Sequence, residues 1–143
     1  DQTTISSRII KEKYPDYEKV IPKDNPNTLK VDKNQLIESV KRVSIFSNKT
    51  TKQIALTISE TQISITTEDP ESVTSGSEKI PCKYSGENIT IGYNATYLIE
   101  VLKQQQTTPL EVLLNNPLSA AVFVDQTTTT NNTTLLMPIR LND

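Results

Sequence analysis

Two segments of this chain share one pattern of hydrophobic and polar positions. Residues 29–32 (Leu-Lys-Val-Asp) run into residues 36–41 (Leu-Ile-Glu-Ser-Val-Lys), and residues 91–94 (Ile-Gly-Tyr-Asn) run into residues 98–103 (Leu-Ile-Glu-Val-Leu-Lys). In each copy, alternating positions typical of a strand end at an Asp or Asn that can cap a helix. The copies lie 62 positions apart (98 minus 36). This internal repeat predicts a pseudo-symmetric architecture in which one unit is used twice.

The first unit is predicted to span about residues 26–84. Its helix has Asp32 as N-cap and Gln35 at the capping-box position. Alternating apolar positions then favour a hairpin, and Gly76 and Pro81 favour an edge position or a bulge for the strand after it. The predicted elements are a strand at 28–31, a helix to about residue 45, and strands at 54–58, 63–65 and about 73–83.

The second unit, about residues 85–143, repeats this order with Asn94 as the helix cap. Its predicted strands lie at 88–93, 110–114, 119–124 and 135–141, and the Thr- and Asn-rich tract at 127–134 is expected to be a hairpin loop. Each unit is therefore β-α-β-β-β. The predicted class is α+β, with two helices packed on one face of a continuous sheet. Residues 1–25 are expected to form a lead-in from a preceding domain, with a strand at 3–10 and a linker.

Composition limits the chemistry that this chain can perform. At 143 residues with a formal charge of −2, it fits one domain and lacks the cationic excess of a protein that grips nucleic acid through bulk electrostatics. It has no histidine and a single cysteine, Cys82, so metal sites and His- or Cys-based catalysis are disfavoured. We expect no cofactor, no bound metal and no membrane span, and the lone cysteine favours a reducing cytoplasm. Because the chain begins at Asp1 in strand-like sequence, we expect it to be a piece of a longer protein.

Five short motifs, in order along the chain, resemble the third, C-terminal domain of the bacterial sliding clamp family, the beta subunit of the replicative DNA polymerase III. The sharpest is the terminal Met-Pro-x-Arg-Leu pattern. The motifs are Tyr14-Pro15-Asp16-Tyr17 with Val20-Ile21-Pro22, Ser44-Ile45-Phe46-Ser47-Asn48, Tyr84-Ser85-Gly86, Ile91-Gly92-Tyr93-Asn94 with Tyr97, and Met137-Pro138-Ile139-Arg140-Leu141. Together they extend over nearly the whole chain.

This resemblance implies the DNA-clamp fold and a non-catalytic processivity factor of DNA replication. In the family, two head-to-tail protomers of three such domains form a homodimeric ring around double-stranded DNA, with helices lining the hole and sheets outside. The ring binds DNA non-specifically and topologically, in the bacterial cytoplasm and at the nucleoid. Its partners, the replicative polymerase, the clamp loader and repair proteins, dock through Gln-x-x-Leu-Phe-like peptides. The isolated piece would then be monomeric.

The resemblance also implies a peptide pocket shared with the preceding domain. The pocket positions carried over by motif are Pro15, Lys19, Val20, Asn94, Tyr97, Leu118, Ala120, Leu135, Leu136, Met137, Pro138, Ile139, Arg140 and Leu141. A final apolar strand that simply packs in the core is the alternative for the last of these. Lys19 stands where the family often has arginine, which reduces a multi-donor contact to a point charge. Asn142 and Asp143 extend past the usual terminal leucine.

Two further sets of positions follow from the resemblance. Lys33, Lys41, Arg42 and Lys103 are expected to face DNA as weak phosphate contacts, although intrahelical pairs such as Glu38 with Lys41 would give an ordinary solvated helix face. Ile45 and Phe46 are expected to contact the neighbouring protomer, although a buried helix end would explain them equally well.

Another class of protein competes with this interpretation. The Thr and Asn content and five Asn-x-Ser/Thr sequons, at Asn48, Asn88, Asn94, Asn131 and Asn132, are also typical of an extracellular β-rich adhesion or carbohydrate-binding module. A hydrolase is a more distant alternative, since no spacing brings acidic residues together and no catalytic residue can be named.

Overall fold

The architecture consists of two antiparallel sheets and two helices, seen in a computed structural model that describes residues 2–12, 14, 16–19, 21–125 and 133–141. The helices are α1 (Lys33–Ser44) and α2 (Ala95–Gln104), and a short 3-10 turn covers Tyr17–Lys19. The strands are β1 (Asn27–Val31), β2 (Gln53–Ile58), β3 (Gln62–Asp69), β4 (Thr74–Pro81), β5 (Lys83–Tyr84), β6 (Ile89–Asn94), β7 (Leu110–Leu114), β8 (Ala121–Val124) and β9 (Thr133–Leu136). The predicted α+β class is confirmed.

Both helices begin at the residues that the repeat predicts. Asp32 accepts a hydrogen bond from the Gln35 amide at 2.7 Å, and Asn94 accepts from the amides of Thr96 and Tyr97 at 2.9 and 3.3 Å. These bonds satisfy amides that have no partner within the first turn of a helix. The apolar stripes then face inward, with Leu36, Val40 and Val43 buried on α1 and Leu98 and Leu102 buried on α2.

The two units exchange their first strands. Sheet A has the order β5-β1-β7-β8-β9 and sheet B has the order β4-β3-β2-β6. Strand β1 of the first unit therefore pairs with β7 of the second, and β6 of the second pairs with β2 of the first. Because each sheet contains strands of both units, the units share one hydrophobic core.

The expected continuous sheet is wrong, because the structure has two separate sheets. The helices pack on each other, α1 lies against β2, β3 and β4, and α2 contacts both β6 of sheet B and β9 of sheet A. An isolated bridge links Gly92 of the edge strand β6 to Ile139, which lies just past the end of β9. Strand β4, for which an edge position or a bulge is predicted, forms an edge of sheet B.

Two predicted strands are wrong in whole or in part. Residues 2–12 are exposed and without regular structure, because no described strand lies beside them to pair with their backbone. The last strand ends at Leu136 instead of continuing to Leu141, since Pro138 has no amide hydrogen for a ladder and the chain leaves sheet A there. The predicted loop at 127–134 lies mostly outside the described residues.

Candidate peptide-docking groove

The C-terminal segment crosses from one sheet to the other. We call residues Met137–Leu141 the strap. It leaves β9 of sheet A and reaches the open edge of β6 in sheet B, where the Ile139 amide donates to the Gly92 carbonyl at 2.9 Å. A single backbone hydrogen bond to the described residues thus holds the middle of the strap against β6.

A glycine at position 92 allows this close approach. A Cβ atom built there would lie 2.7 Å from the Ile139 carbonyl oxygen and 2.7 Å from Cδ2 of Leu141. Both distances are shorter than the van der Waals contact distance of a carbon atom, so a larger residue would force the strap outward. Within a strand, glycine commonly marks such an approach by another backbone.

A groove of about 520 Å³ opens between the strap and the β7–β8 loop, residues 115–120. Leu118 projects from this loop with 60% of its surface exposed, and Met137 at the start of the strap is 62% exposed. The residues lining the groove are Thr90, Gly92, Pro117, Leu118, Ile139, Arg140 and Leu141. Its volume and mixed apolar and polar lining are within the range of small-molecule and peptide-anchor sites.

The β7–β8 loop is held in place by three asparagines. Asn116 Oδ1 accepts from the amides of Leu118 and Ser119 at 2.9 and 3.0 Å, a local turn that leaves the Leu118 side chain outside. Asn25 Nδ2 donates to the carbonyls of Leu113 and Ala120 at 3.0 and 3.1 Å, while Asn115 Nδ2 donates to the Asp24 carbonyl at 2.7 Å. The end of the lead-in is therefore tied to one wall of the groove.

The equivalent place in the first unit is closed. In the first unit, β5 follows β4 and pairs with β1. In the second unit, the strap takes the place of β5: it follows β9 and bridges to β6. Lys30, which pairs with Lys83, occupies the position in the 62-residue repeat that Gly92 occupies in the second unit. The three-residue β2–β3 loop, residues 59–61, accepts a hydrogen bond from the amide of Cys82, just before β5, to Thr61 O (3.0 Å) and another from Tyr84 N of β5 to Glu60 O (2.9 Å). The six-residue β7–β8 loop makes no such backbone bond to the strap among the described residues. The groove is thus a feature in which the two units differ.

The structure brings together only some of the predicted pocket residues. Leu118, Ile139, Arg140 and Leu141 line the groove, with Met137 and Pro138 in the same strap. Ala120 and Leu136 are buried and Leu135 is half-buried, so the core alternative holds for part of the last strand. Lys19 is exposed and pairs with Asp16 at 3.1 Å. Pro15, Val20, Asn142 and Asp143 lie outside the described residues.

Asn94 is engaged at both ends of its amide. Besides capping α2 through Oδ1, it donates from Nδ2 to the Thr51 carbonyl at 3.0 Å. The cap that the sequence predicts is confirmed, whereas a peptide contact by Asn94 stays a prediction. Tyr97, in the first turn of α2, is 59% exposed.

The predicted DNA-facing cations are mostly engaged within the chain. Lys33 Nζ donates to the carbonyl of Gln105, just past the end of α2, at 2.8 Å, and Lys41 pairs with Glu38 at 2.7 Å. Arg42 donates to both carboxylate oxygens of Glu78 on β4, and this hydrogen bonding lowers the pKa of Glu78 and raises that of Arg42. Lys103 is exposed and forms no ion pair within the described parts of the chain.

Ile45 and Phe46 form an exposed apolar corner after α1. Ile45 is 75% exposed and Phe46 is 43% exposed. The Phe46 ring lies over Gly76 of the edge strand β4, where an added Cβ would be 2.9 Å from Cδ2, and Thr74 Oγ1 donates to the Phe46 carbonyl at 3.1 Å. The alternative of a buried helix end is therefore wrong for Ile45.

Comparison with known proteins decides the family. A protein-family model, described as DNA polymerase III beta subunit, C-terminal domain, matches residues 18–140 of this chain. The chain belongs to this family. It is 31% identical over 138 residues to the beta sliding clamp of Pseudomonas aeruginosa and 28% identical over 136 residues to that of Escherichia coli K12, covering 96% and 95% of this chain. It spans 37% of the length of each relative.

Solved clamp structures have the same fold. A Pseudomonas aeruginosa sliding clamp bound to griselimycin superposes with a TM-score of 0.85 at 30% identity, and a Caulobacter crescentus polymerase III beta structure with a TM-score of 0.87 at 30% identity. Each match covers 94% of this chain and 36% of the solved chain. The DNA-clamp fold is therefore confirmed. The adhesion-module alternative finds no support in these comparisons, and the sequon amides of Asn48 and Asn94 already donate within the chain.

Three groove residues are absent from the sequence-based set. Thr90 and Gly92 lie on β6, and Pro117 precedes Leu118 in the β7–β8 loop. A signal for Gly92 was present, since it is a glycine inside an otherwise apolar strand that also belongs to a family-like motif. Thr90 and Pro117 carry no such signal, because their position depends on where the strap crosses.

Among the described residues, neither helix combines the length and the apolar character needed to cross a membrane.

Proposed function

We propose that the natural protein containing this chain is a bacterial DNA sliding clamp, a non-catalytic processivity factor of the cytoplasm. This chain would supply its third, C-terminal domain, with residues 1–25 as the connection from the preceding one. Support comes from the family model, from relatives that are beta sliding clamps, and from the solved clamps that share its fold.

The observation that carries the proposal is the groove between the strap and the β7–β8 loop. The exposed Leu118 that lines it, together with the exposed Met137 next to it in the strap, suits the Leu and Phe side chains of a Gln-x-x-Leu-Phe-like peptide. Methionine adapts its shape to different partners, which suits a site used by a polymerase, a clamp loader and repair proteins. Tyr97 offers both a ring and a hydroxyl at the start of α2, and Lys19, Pro15 and Val20 would extend the site from the lead-in.

The proposed role on DNA depends on the helix layer. Lys33, Lys41, Arg42 and Lys103 lie on or at the ends of α1 and α2, and three of them have partners inside the chain. Few cations are left to neutralise phosphates, so their contribution to DNA affinity would be weak and non-specific. A ring that encloses DNA tolerates this weakness, because topology rather than affinity retains it.

The proposed ring contact lies at the corner formed by Ile45 and Phe46. This corner adjoins β4, an edge strand whose outer backbone groups pair with no other described strand. An exposed apolar group beside an open strand edge is typical of an interface between chains. We propose that a neighbouring protomer covers it in a homodimeric ring and that the isolated chain is monomeric.

Truncation of the strap tests the peptide site. We expect Met137→Ala combined with Pro138→Ala to weaken binding of a fluorescent Gln-x-x-Leu-Phe peptide by about fivefold or more, since loss of an interface anchor costs about 1 kcal/mol or more. The measurement is fluorescence anisotropy with the full natural protein that contains this chain.

The control is Val73→Ala, which truncates an even more exposed apolar side chain at the β3–β4 turn, a place that does not line the groove. It should leave peptide affinity unchanged. If the strap variant binds as tightly as the parent protein, Met137 and Pro138 take no part in docking, which contradicts the proposed contribution of the strap.

A further inference from the structure

We infer that Gly92 is a positioning residue for the groove: by lacking a side chain, it lets the strap lie on β6 and so fixes the wall against which a peptide docks. This inference rests on the proposed peptide-docking function and goes beyond it. Gly92 would act through the strap, by holding Ile139, Arg140 and Leu141 at the depth that shapes the groove.

Among the described residues, few backbone hydrogen bonds hold the strap at this depth. One backbone bond, Ile139 N to Gly92 O at 2.9 Å, joins it to β6, whereas the equivalent β5 is bonded on both sides in the first unit. Pro138 has no amide hydrogen to add another bond. The close contact at Gly92 therefore acts together with this one bond in setting where the strap lies.

Leu141 connects the strap to a wider surface. Its Cδ2 and Cγ atoms lie 2.7 and 2.9 Å from the Cβ position of residue 92. Leu141 lines both the docking groove and a larger open depression of about 970 Å³ that includes Gln53, Ala55 and Thr66 of sheet B. A displaced Leu141 would change the shape of both spaces at once.

A methyl group at position 92 would have to displace backbone. The Ile139 carbonyl oxygen, 2.7 Å from the added Cβ, cannot rotate away as the end of a flexible side chain can. β6 is fixed in sheet B by pairing with β2 along its whole length, so the strap is the part that would move. Gly92→Ala should thus open the strap while β6 stays in place.

Gly86→Ala provides a matched control. In the β5–β6 loop, its Cβ would lie 2.5 Å from Tyr84 Oη and 2.6 Å from Cγ of Asn27, which is comparable crowding away from the groove. Both variants add one methyl group at a crowded glycine. Only Gly92→Ala changes the contact under the strap.

The experiment compares the full natural protein with its Gly92→Ala and Gly86→Ala forms by two readouts. Hydrogen–deuterium exchange measured by mass spectrometry reports the Ile139 amide through C-terminal fragments, and anisotropy reports the affinity for the Gln-x-x-Leu-Phe peptide. We expect Gly92→Ala to speed exchange in the strap and to weaken peptide binding by about tenfold. Gly86→Ala should change neither readout.

The outcomes separate the two proposals. If the unaltered protein binds the peptide and Gly92→Ala binds equally well with unchanged exchange, the inference about Gly92 is overturned and the docking function stands. If the unaltered protein does not bind the peptide, the docking function fails and the positioning role fails with it.

Should Gly92→Ala not fold, Leu141→Ala removes the side chain that covers Gly92 without crowding. Faster exchange at Ile139 in that variant would then support the inference, and unchanged exchange would overturn it.

Discussion

At the scale of single residues, Tyr93 places a hydroxyl in the core without a partner in the described part of the chain. The residue is 3% exposed, and burial raises the pKa of its phenol. Removing a buried hydroxyl that makes no hydrogen bond relieves a desolvation cost. We therefore expect Tyr93→Phe to leave stability unchanged or to raise it by about 1 kcal/mol, as measured by urea unfolding.

Thr67 supplies the contrast for that prediction. Its buried hydroxyl donates to the Gln53 carbonyl at 2.6 Å. Thr67→Val removes a hydroxyl of similar burial that does have a partner, and should cost about 1 kcal/mol. A loss of stability in Tyr93→Phe as large as that in Thr67→Val would mean that the Tyr93 hydroxyl is bonded in solution.

At the scale of elements, Glu78 links β4 to α1 and makes that contact dependent on pH. The Arg42 guanidinium, and secondarily the Ser39 hydroxyl, lower the pKa of Glu78 by hydrogen bonding, against the opposing effect of burial. A carboxyl with a lowered pKa in the folded state stabilises the fold above its unfolded pKa of about 4.3. That stabilisation is lost as pH falls through the folded value.

Glu78→Gln should therefore lower the melting temperature near neutral pH by about 2 °C or less, since partly exposed ion pairs contribute little. It should also flatten the fall in melting temperature between about pH 5 and pH 3. Thermal melts followed by circular dichroism measure both effects. Glu87→Gln removes the same charge from an exposed loop position and should keep the steeper acid dependence of the parent. Identical pH profiles for the two variants would contradict a stabilising role for the α1–β4 contact.

The sequence predicts elements well where their determinants are local. Asp32 and Asn94 predict where the two helices begin, because a cap satisfies amides within its own turn. The break at Pro138 was also readable, yet the apolar run around it favoured a single strand. Pairing across the units was not readable, because β1 and β7 meet through residues about 80 positions apart, such as Leu29 and Val112. The same limit applies to the groove, whose lining depends on where the strap crosses β6.

At the scale of the whole molecule, the repeat explains both what the units share and where they differ. Exchange of β1 and β6 gives each sheet strands of both units, so neither unit has a separate core. The two copies differ in how their last segment, β5 in the first unit and the strap in the second, meets the loop beside it. The short β2–β3 loop forms backbone hydrogen bonds with Cys82 and Tyr84 at β5, whereas a groove separates the longer β7–β8 loop from the strap. Under the proposed function, duplication supplies the arc of the ring and this difference supplies the docking site.

The ring itself gives the whole-molecule prediction. Because most cations on the helix layer are already partnered, affinity alone should not hold the protein on DNA in high salt. We expect the full natural protein, loaded by its clamp loader on nicked circular DNA, to stay bound in about 0.5 M salt and to be released once the circle is cut. Gel filtration of labelled protein with DNA, before and after linearisation, measures the fraction of protein that stays bound. Linear DNA with blocked ends is the control, and the protein should remain bound to it. Retention on linear DNA with open ends would show that contacts rather than enclosure hold the protein, and would contradict the proposed ring mechanism.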